Sequence, residues 1–285
     1  MTGGGRLTSA ELGKFLEIQN LGLNLPFALA FLVIAARGVP AIEPTALLVI
    51  AFVAARNAGH AFNRWTDRDL DAANPRTRGR ALVTGRLSPT FALGLVAANA
   101  LVLFVAAAAL NRLAFLLAPV ALVIILGYSV TKRWGPWTTV YLGLVESITP
   151  AAVFIALTGA LPSYVLIAVL ALLVWGTAFE TIHSLGDLET DRRLGLPTLP
   201  GWLGLRRSLA LVPVLHASAL ALLVVFGLWD HLAWPYFLAL AVMAALAGAV
   251  DLTLASDSSR SQRPFRLHFV LGGIFLAGAI GAMLI

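Results

Sequence analysis

The sequence predicts an all-α integral membrane protein of nine transmembrane helices, arranged as two four-helix pseudo-repeats plus one. Three observations carry this. The 285 residues are 59% hydrophobic and 12% charged, with a mean hydropathy of +0.88, whereas soluble domains carry about 25% charged residues. Apolar stretches long enough to cross the ~30 Å hydrocarbon core recur nine times. Basic residues alternate from side to side with the stretches, as short loops of a membrane protein require.

The stretches are residues 21–37, 44–63, 89–110, 113–129, 138–159, 163–183, 208–228, 232–254 and 267–285. They leave room only for short loops, so residues 1–285 form one polytopic domain. Residues 1–6 are Gly-rich and no cleavable signal peptide is visible. Thr8 and Glu11 have capping-box spacing. Leu12, Phe15, Leu16 and Gln19 follow at helical spacing. Residues 1–20 therefore read as a short helix lying in the membrane interface.

With nine spans, the N-terminus and the loops after even-numbered spans share a side. That side holds 18 of the 20 Lys and Arg residues, and the other holds only Arg37 and Arg112. Positive charge in short loops stays in the cytoplasm. The expected location is the cell (inner) membrane, with the N-terminus cytoplasmic. Topology thus explains the net charge of +6, with no need for nucleic-acid binding. Cys is absent, which excludes disulfides, thiolate metal ligands and Cys nucleophiles.

Two acidic clusters sit where even-numbered spans reach this basic side. In the first, Asn63, Asp67 and Asp71 are four residues apart, so all three lie on one helix face. Asp69 falls off that stripe. In the second, Asp187 and Asp191 repeat the step, Glu180 and His183 continue the face inward, and Glu189 falls off it. The clusters are 120 residues and four spans apart, which is the basis for the two pseudo-repeats. Ionisable groups at membrane depth are costly and mark function. Clustered carboxylates repel unless a cation compensates. Mg²⁺ bound by one or two carboxylates plus substrate phosphates fits these donors. Arg80, Lys132 and Arg192 are placed to contact phosphate oxygens. Glu180 and His183 are candidate proton acceptors, although a histidine here, like His60, serves equally well as a packed residue satisfied by a neighbour. Phe62, Trp65, Tyr128 and Trp175 are candidates for an aromatic lining, or for ordinary packing.

The run from Asn57 through Asn63, Asp67, Asp71, Pro75, Arg76, Thr77 and Arg80 to Ser88 resembles the first signature of the UbiA superfamily of intramembrane prenyltransferases, in its 4-hydroxybenzoate polyprenyltransferase-like, quinone-pathway branch. Asp187-Leu-Glu-Thr-Asp191-Arg-Arg-Leu-Gly195 resembles the second signature, Tyr128-Ser-Val-Thr-Lys132-Arg133 a third element, and Leu25-Pro26-Phe27-Ala28 a weaker fourth. The resemblance implies a nine-helix bundle around a central cavity. It implies Mg²⁺-dependent transfer of a polyprenyl group from its diphosphate to an aromatic acid in ubiquinone or menaquinone biosynthesis. It assigns Asn63, Asp67, Asp71, Asp187 and Asp191 to Mg²⁺ and diphosphate. Arg68, Arg80, Lys132 and Arg192 fall to diphosphate, and Tyr128 lies near the reacting carbon. Asn20 stands where the family often has His, and Glu180 and His183 where it often has Asp and Tyr, all on the acceptor side. A relative using haem or a glycerol phosphate lipid as acceptor, or an ion-coupled transporter, are the alternatives.

Overall fold

The computed structural model describes the backbone of residues 9–131, 134–256 and 262–285, and the side chains of 11–131, 134–256 and 269–285. Thr8, Lys132 and Arg133, named above, lie outside these residues. The described residues hold no strand. The helices are α1 (Ser9–Phe15), α2 (Leu21–Ala36), α3 (Ile42–Thr66), α4 (Arg68–Ala73), α5 (Pro89–Leu110), α6 (Arg112–Thr131), α7 (Thr138–Thr158), α8 (Val165–Arg193), α9 (Leu199–Leu203), α10 (Leu205–Trp229), α11 (Trp234–Ser256) and α12 (Gln262–Met283), with a 3₁₀ turn at Ile18–Asn20.

Eight of these are long and apolar enough to cross a membrane: α2 with its preceding turn, α3, α5, α6, α7, α8, α10 and α11. The ninth predicted span corresponds to α12. It is 22 residues long, and Phe269–Met283, the part whose side chains are described, is apolar. Six of the seven Trp residues are exposed near helix ends. Trp65, Trp134, Trp137 and Trp202 stand on the side of the acidic clusters, and Trp229 and Trp234 on the opposite side. Their amphipathic rings suit the two membrane–water interfaces.

Helix ends follow the local chemistry. Ser88 caps α5 by accepting from the Phe91 N–H at 3.1 Å, with Pro89 first in the helix. Gly159 ends α7 in the left-handed conformation at φ 70°. Arg37 ends α2 at φ 54°. Its guanidinium reaches both Asp230 carboxylate oxygens at 2.5 and 3.1 Å, joining α2 to the α10–α11 turn. Deeper in, His216 of α10 meets Asp251 of α11 at 3.0 Å.

The largest apolar core lies among α2, α7, α8, α10, α11 and α12, with Phe31, Phe226, Tyr236 and Phe275 buried at its centre. A second, small core joins α3, α5 and α6 through Ala54, Leu103, Ala107 and Ala118. The pseudo-repeat is visible in part. α3 packs on α5 as α8 packs on α10, and α5 packs on α6 as α10 packs on α11. The equivalence fails at α2, which packs on α12 and α7 and scarcely touches α3, whereas α7 and α8 pack closely. The α7–α8 seam closes at two glycines. A Cβ on Gly143 would run into the Leu173 carbonyl and lie 2.6 Å from Thr177 Oγ1, and a Cβ on Gly176 would lie 2.9 Å from the Gly143 Cα. Glycines of α12 serve similar seams within the chain. Gly272 faces Pro26 and Phe27 of α2, and Gly278 and Gly281 face α11.

The N-terminal segment buries its apolar side on protein. Phe15 and Leu16 pack against Ala61, Leu82, Leu87 and Ala92.

Gly143→Ala should destabilise the protein by about 1–3 kcal/mol through overpacking. Gly273→Ala, whose Cβ meets nothing within 4 Å, should be neutral or slightly stabilising. Thermal unfolding in detergent distinguishes the two.

Candidate active site

The first acidic stripe survives a small break in the helix. Asp67 sits between α3 and α4 at φ −87°, ψ 5°. The four-residue backbone bonds nevertheless continue through it, from Asp67 N to Asn63 O at 2.9 Å and from Asp71 N to Asp67 O at 2.7 Å. Asn63, Asp67 and Asp71 therefore face one way, and Asn63 Nδ2 donates to Asp67 Oδ2 at 2.9 Å. Asp67 and Asp71 are only 5% and 7% exposed. In the second stripe α8 runs unbroken to Arg193 and stops before Gly195, at φ 66°. This places Asp187 and Asp191 a turn apart, above Glu180 and His183.

The loop after α4 joins the stripes. Asn74 Oδ1 accepts from the Arg76 N–H at 2.9 Å, forming an Asx turn beside Pro75. Thr77 Oγ1 donates to the Asp71 carbonyl at 3.0 Å. The loop so formed sends two arginines to different clusters. Arg80 Nη1 donates to Asp71 Oδ1 at 2.5 Å. Arg76 grips Asp187 bidentately, at 3.2 and 2.5 Å.

Both stripes open into one cavity of about 670 Å³. Its polar end carries Asn63, Asp67, Asp71, Arg76, Arg80, Tyr128, Glu180, His183, Asp187 and Asp191. Its other end is an apolar channel that includes Leu48, Phe52, Leu103, Ile125, Leu142 and Val153 from α3, α5, α6 and α7. Tyr128 OH donates to Glu180 Oε1 at 3.3 Å.

Arg68 and Arg192 do not reach the cavity. Arg68 pairs with Asp69 at 3.5 Å on the exposed surface, and Arg192 is exposed. Each stands one residue after a stripe carboxylate, about 100° away around the helix, and at this end of the bundle that direction leads to the exposed surface. Asp69 stands two residues from Asp67 and from Asp71, on the opposite side of the helix, and is exposed; Glu189 pairs with Arg193 outside. Among the candidate aromatics only Tyr128 lines this cavity. Phe62 stacks on Trp65 at 5.6 Å, and Trp175 lines a small adjoining nook.

Further polar residues, unassigned by the sequence reading, line the cavity: Glu17, Asn24, Arg56, Arg64 and Glu146. Arg56, His60 and Arg64 form a second row on α3 at four-residue steps, one residue round the helix from the Asn63 stripe, a spacing visible in the sequence. Arg56 donates to the carbonyls of Leu16 and Glu17 at 3.0 and 2.9 Å, and Arg64 pairs with the Glu17 carboxylate. Glu17 itself stands at φ 49°, and Asn20 Nδ2 donates to it at 2.9 Å. This clamp closes one wall of the cavity with the N-terminal segment. Burial pushes the Glu17 carboxyl up, but the charges of Arg64, His60 and Arg80 and the Asn20 bond outweigh it, holding the group below its ordinary value.

The UbiA prenyltransferase family model matches residues 24–277. The chain belongs to this family. It is 33% identical over 246 residues to the 4-hydroxybenzoate octaprenyltransferase of Cupriavidus necator, covering 86% of each chain. A UbiA homolog from Aeropyrum pernix K1, solved in its apo form, superposes with a TM-score of 0.84 at 32% identity, over 93% of this chain and 98% of the homolog. A UbiA homolog from Archaeoglobus fulgidus, solved bound to GPP and Mg²⁺, matches the fold with a TM-score of 0.76 at 20% identity, over 96% of this chain and all of the homolog. The protein is thus a multi-pass membrane prenyltransferase.

Family membership raises the question of a divalent metal. Among the described residues no three His, Cys, Asp or Glu side chains converge into an all-protein cage. The donors are paired carboxylates and an amide oxygen. That set fits a hard cation that completes its shell with substrate phosphate oxygens.

The N-terminal clamp has a pH signature. A carboxyl held low in the folded state stabilises that state above its unfolded value, and the contribution is lost as pH falls through the folded value. Glu17→Gln should unfold at a lower temperature than wild type at pH 7. The gap should close as the pH falls through and below the ordinary carboxylate range. Paired melting curves in detergent test this.

Proposed function

We propose that this protein transfers a polyprenyl group from polyprenyl diphosphate to an aromatic acid, 4-hydroxybenzoate- or naphthoate-like, with Mg²⁺ as cofactor, in ubiquinone or menaquinone biosynthesis. One observation carries the reading. A single cavity joins two carboxylate pairs, each engaged by an arginine, to an apolar channel running into the membrane. A diphosphate matches the first end and an isoprenoid tail the second. The similarity to the C. necator octaprenyltransferase over most of both chains supports the acceptor class.

In this reading Asn63, Asp67, Asp71, Asp187 and Asp191 hold the metal. Bound Mg²⁺ neutralises charge on the diphosphate and stabilises it as a leaving group. Arg76 and Arg80 exchange their carboxylate contacts for phosphate oxygens, adding charge-assisted donors where negative charge develops. The C1–O bond of the donor breaks, and its electron pair leaves with the diphosphate. Tyr128 and the apolar wall keep water from the allylic carbon. Arg56 turns its guanidinium to the acceptor carboxylate. A ring carbon of the acceptor bonds to C1, and Glu180 or His183 takes the ring proton.

The 18-to-2 division of Lys and Arg supports a cell-membrane (inner-membrane) protein whose N-terminus and active site face the cytoplasm. Residues 1–285 act as one domain, with residues 1–20 as an N-terminal interfacial segment whose Glu17 and Asn20 line the cavity.

Purified protein in detergent, given polyprenyl diphosphate, Mg²⁺ and 4-hydroxybenzoate, should form the prenylated acid and release diphosphate. Asp67→Ala and Asp191→Ala should each lower diphosphate release by at least about a hundredfold, the scale of removing one electrostatic stabiliser. Full activity in both variants would refute the two-cluster site.

A further inference from the structure

Glu146 is an ionisable residue in the middle of α7 that the mechanism above does not use. It faces the cavity from the wall shared by α2, α7 and α8. The wall is shaped around it. A Cβ on Gly176 would lie 2.8 Å from Glu146 Oε2, so the missing side chain on α8 makes room for the carboxylate. Among the described residues it has no ion-pair partner. Its one hydrogen-bond partner there is Asn24, whose Nδ2 stands 3.5 Å from Oε1, beyond the 2.7–3.2 Å usual for such a bond.

The other cavity carboxylates differ. Glu17 holds Arg64, Asp71 holds Arg80 and Asp187 holds Arg76. Asp67 accepts from Asn63, and Glu180 from Tyr128. A carboxylate in a low-dielectric wall costs free energy unless donors meet it. Glu146 therefore has acceptor capacity that a ligand can fill, and a ligand that brings an O–H gains most from it.

We propose that Glu146 reads the hydroxyl group of the aromatic acceptor. This rests on the acceptor reading above. With the acceptor's carboxylate on Arg56 of α3, its hydroxyl donates to the Glu146 carboxylate on α7, and Asn24 and Gly176 hold that carboxylate in place. The contact orients the ring and leaves more electron density on the hydroxyl oxygen, so the adjacent ring carbon becomes the better nucleophile. That carbon then bonds to prenyl C1 as the C1–O bond breaks with its electron pair going to diphosphate, and the ring proton leaves to a cavity base. Glu146 thus selects hydroxylated aromatic acids over those without the group.

The test crosses ligand and residue, as in a double-mutant cycle. Binding of 4-hydroxybenzoate and of benzoate is measured calorimetrically for wild type, Glu146→Gln and Glu146→Leu in detergent. Binding of a prenyl diphosphate checks that each variant is folded. Wild type should prefer 4-hydroxybenzoate by about tenfold or more, the effect of one hydrogen bond to a charged group. In Glu146→Leu the preference should vanish, and in Glu146→Gln it should fall to about threefold or less. In turnover, Glu146→Gln should raise KM for the hydroxy acid and leave KM for the prenyl donor unchanged. An undiminished preference in both variants overturns the proposal. Equal binding of the two acids by wild type overturns it while leaving the aromatic-acid reading intact. Failure of wild type to bind either acid overturns both.

Discussion

A carboxylate moved from water to the edge of a bilayer needs a cation or several donors beside it, and this protein meets that need repeatedly around one cavity. Asp71 and Asp187 stand on different helices, and two arginines of one loop, Arg80 and Arg76, engage them. Glu17 approaches from the N-terminal segment and pairs with Arg64. These pairs join the N-terminal segment, α3, the loop after α4 and α8. They hold the cavity's rim and also set its field. An anionic ligand entering there meets guanidinium groups that can leave one carboxylate partner for another.

The unequal cores explain where the cavity lies. α2 has joined the second half of the chain, packing on α12 and α7, so it leaves α3 nearly untouched. The gap between them, floored by α7 and α8, is the cavity. Close α7–α8 packing through Gly143 and Gly176 is the counterpart of that gap. A repeat that was symmetric in packing would fill the space with helix contacts on both sides. The departure from symmetry is what leaves room for a prenyl chain.

Much of this was legible before any coordinates. Hydropathy located the spans to within a few residues, except where α8 continues ten residues past its apolar stretch to Arg193. Four-residue spacing separated Asp67, Asp71, Asp187 and Asp191 from Asp69 and Glu189, because side-chain direction within a helix depends on sequence separation alone. It did not settle Arg68, which continues the Arg56–His60–Arg64 row by another four residues and is kept from the cavity by its exposed position. Arg56, His60 and Arg64 share a neighbouring face of the same helix, and an arginine inside an apolar span was a signal of its own. Arg76 is different. It lies in a loop, where no period fixes direction, and only the Asx turn and the packing of Thr77 aim it at Asp187.

The sequence by itself determined what local rules govern: helices, their order, the alternation of charge across the membrane, and which residues share a helix face. Each depends on neighbours within two or three turns. The tertiary structure decided what depends on helices distant in the chain: that both stripes open into one cavity, that α2 leaves α3 for α12, that Glu17 closes a wall, and that the carboxylate of Glu146 is set against the bare backbone of Gly176. In lipid the hydrophobic pattern says little about which helix faces which, because lipid tails are as apolar as the neighbouring helices. Close packing at small residues and the pairing of buried charge made those choices.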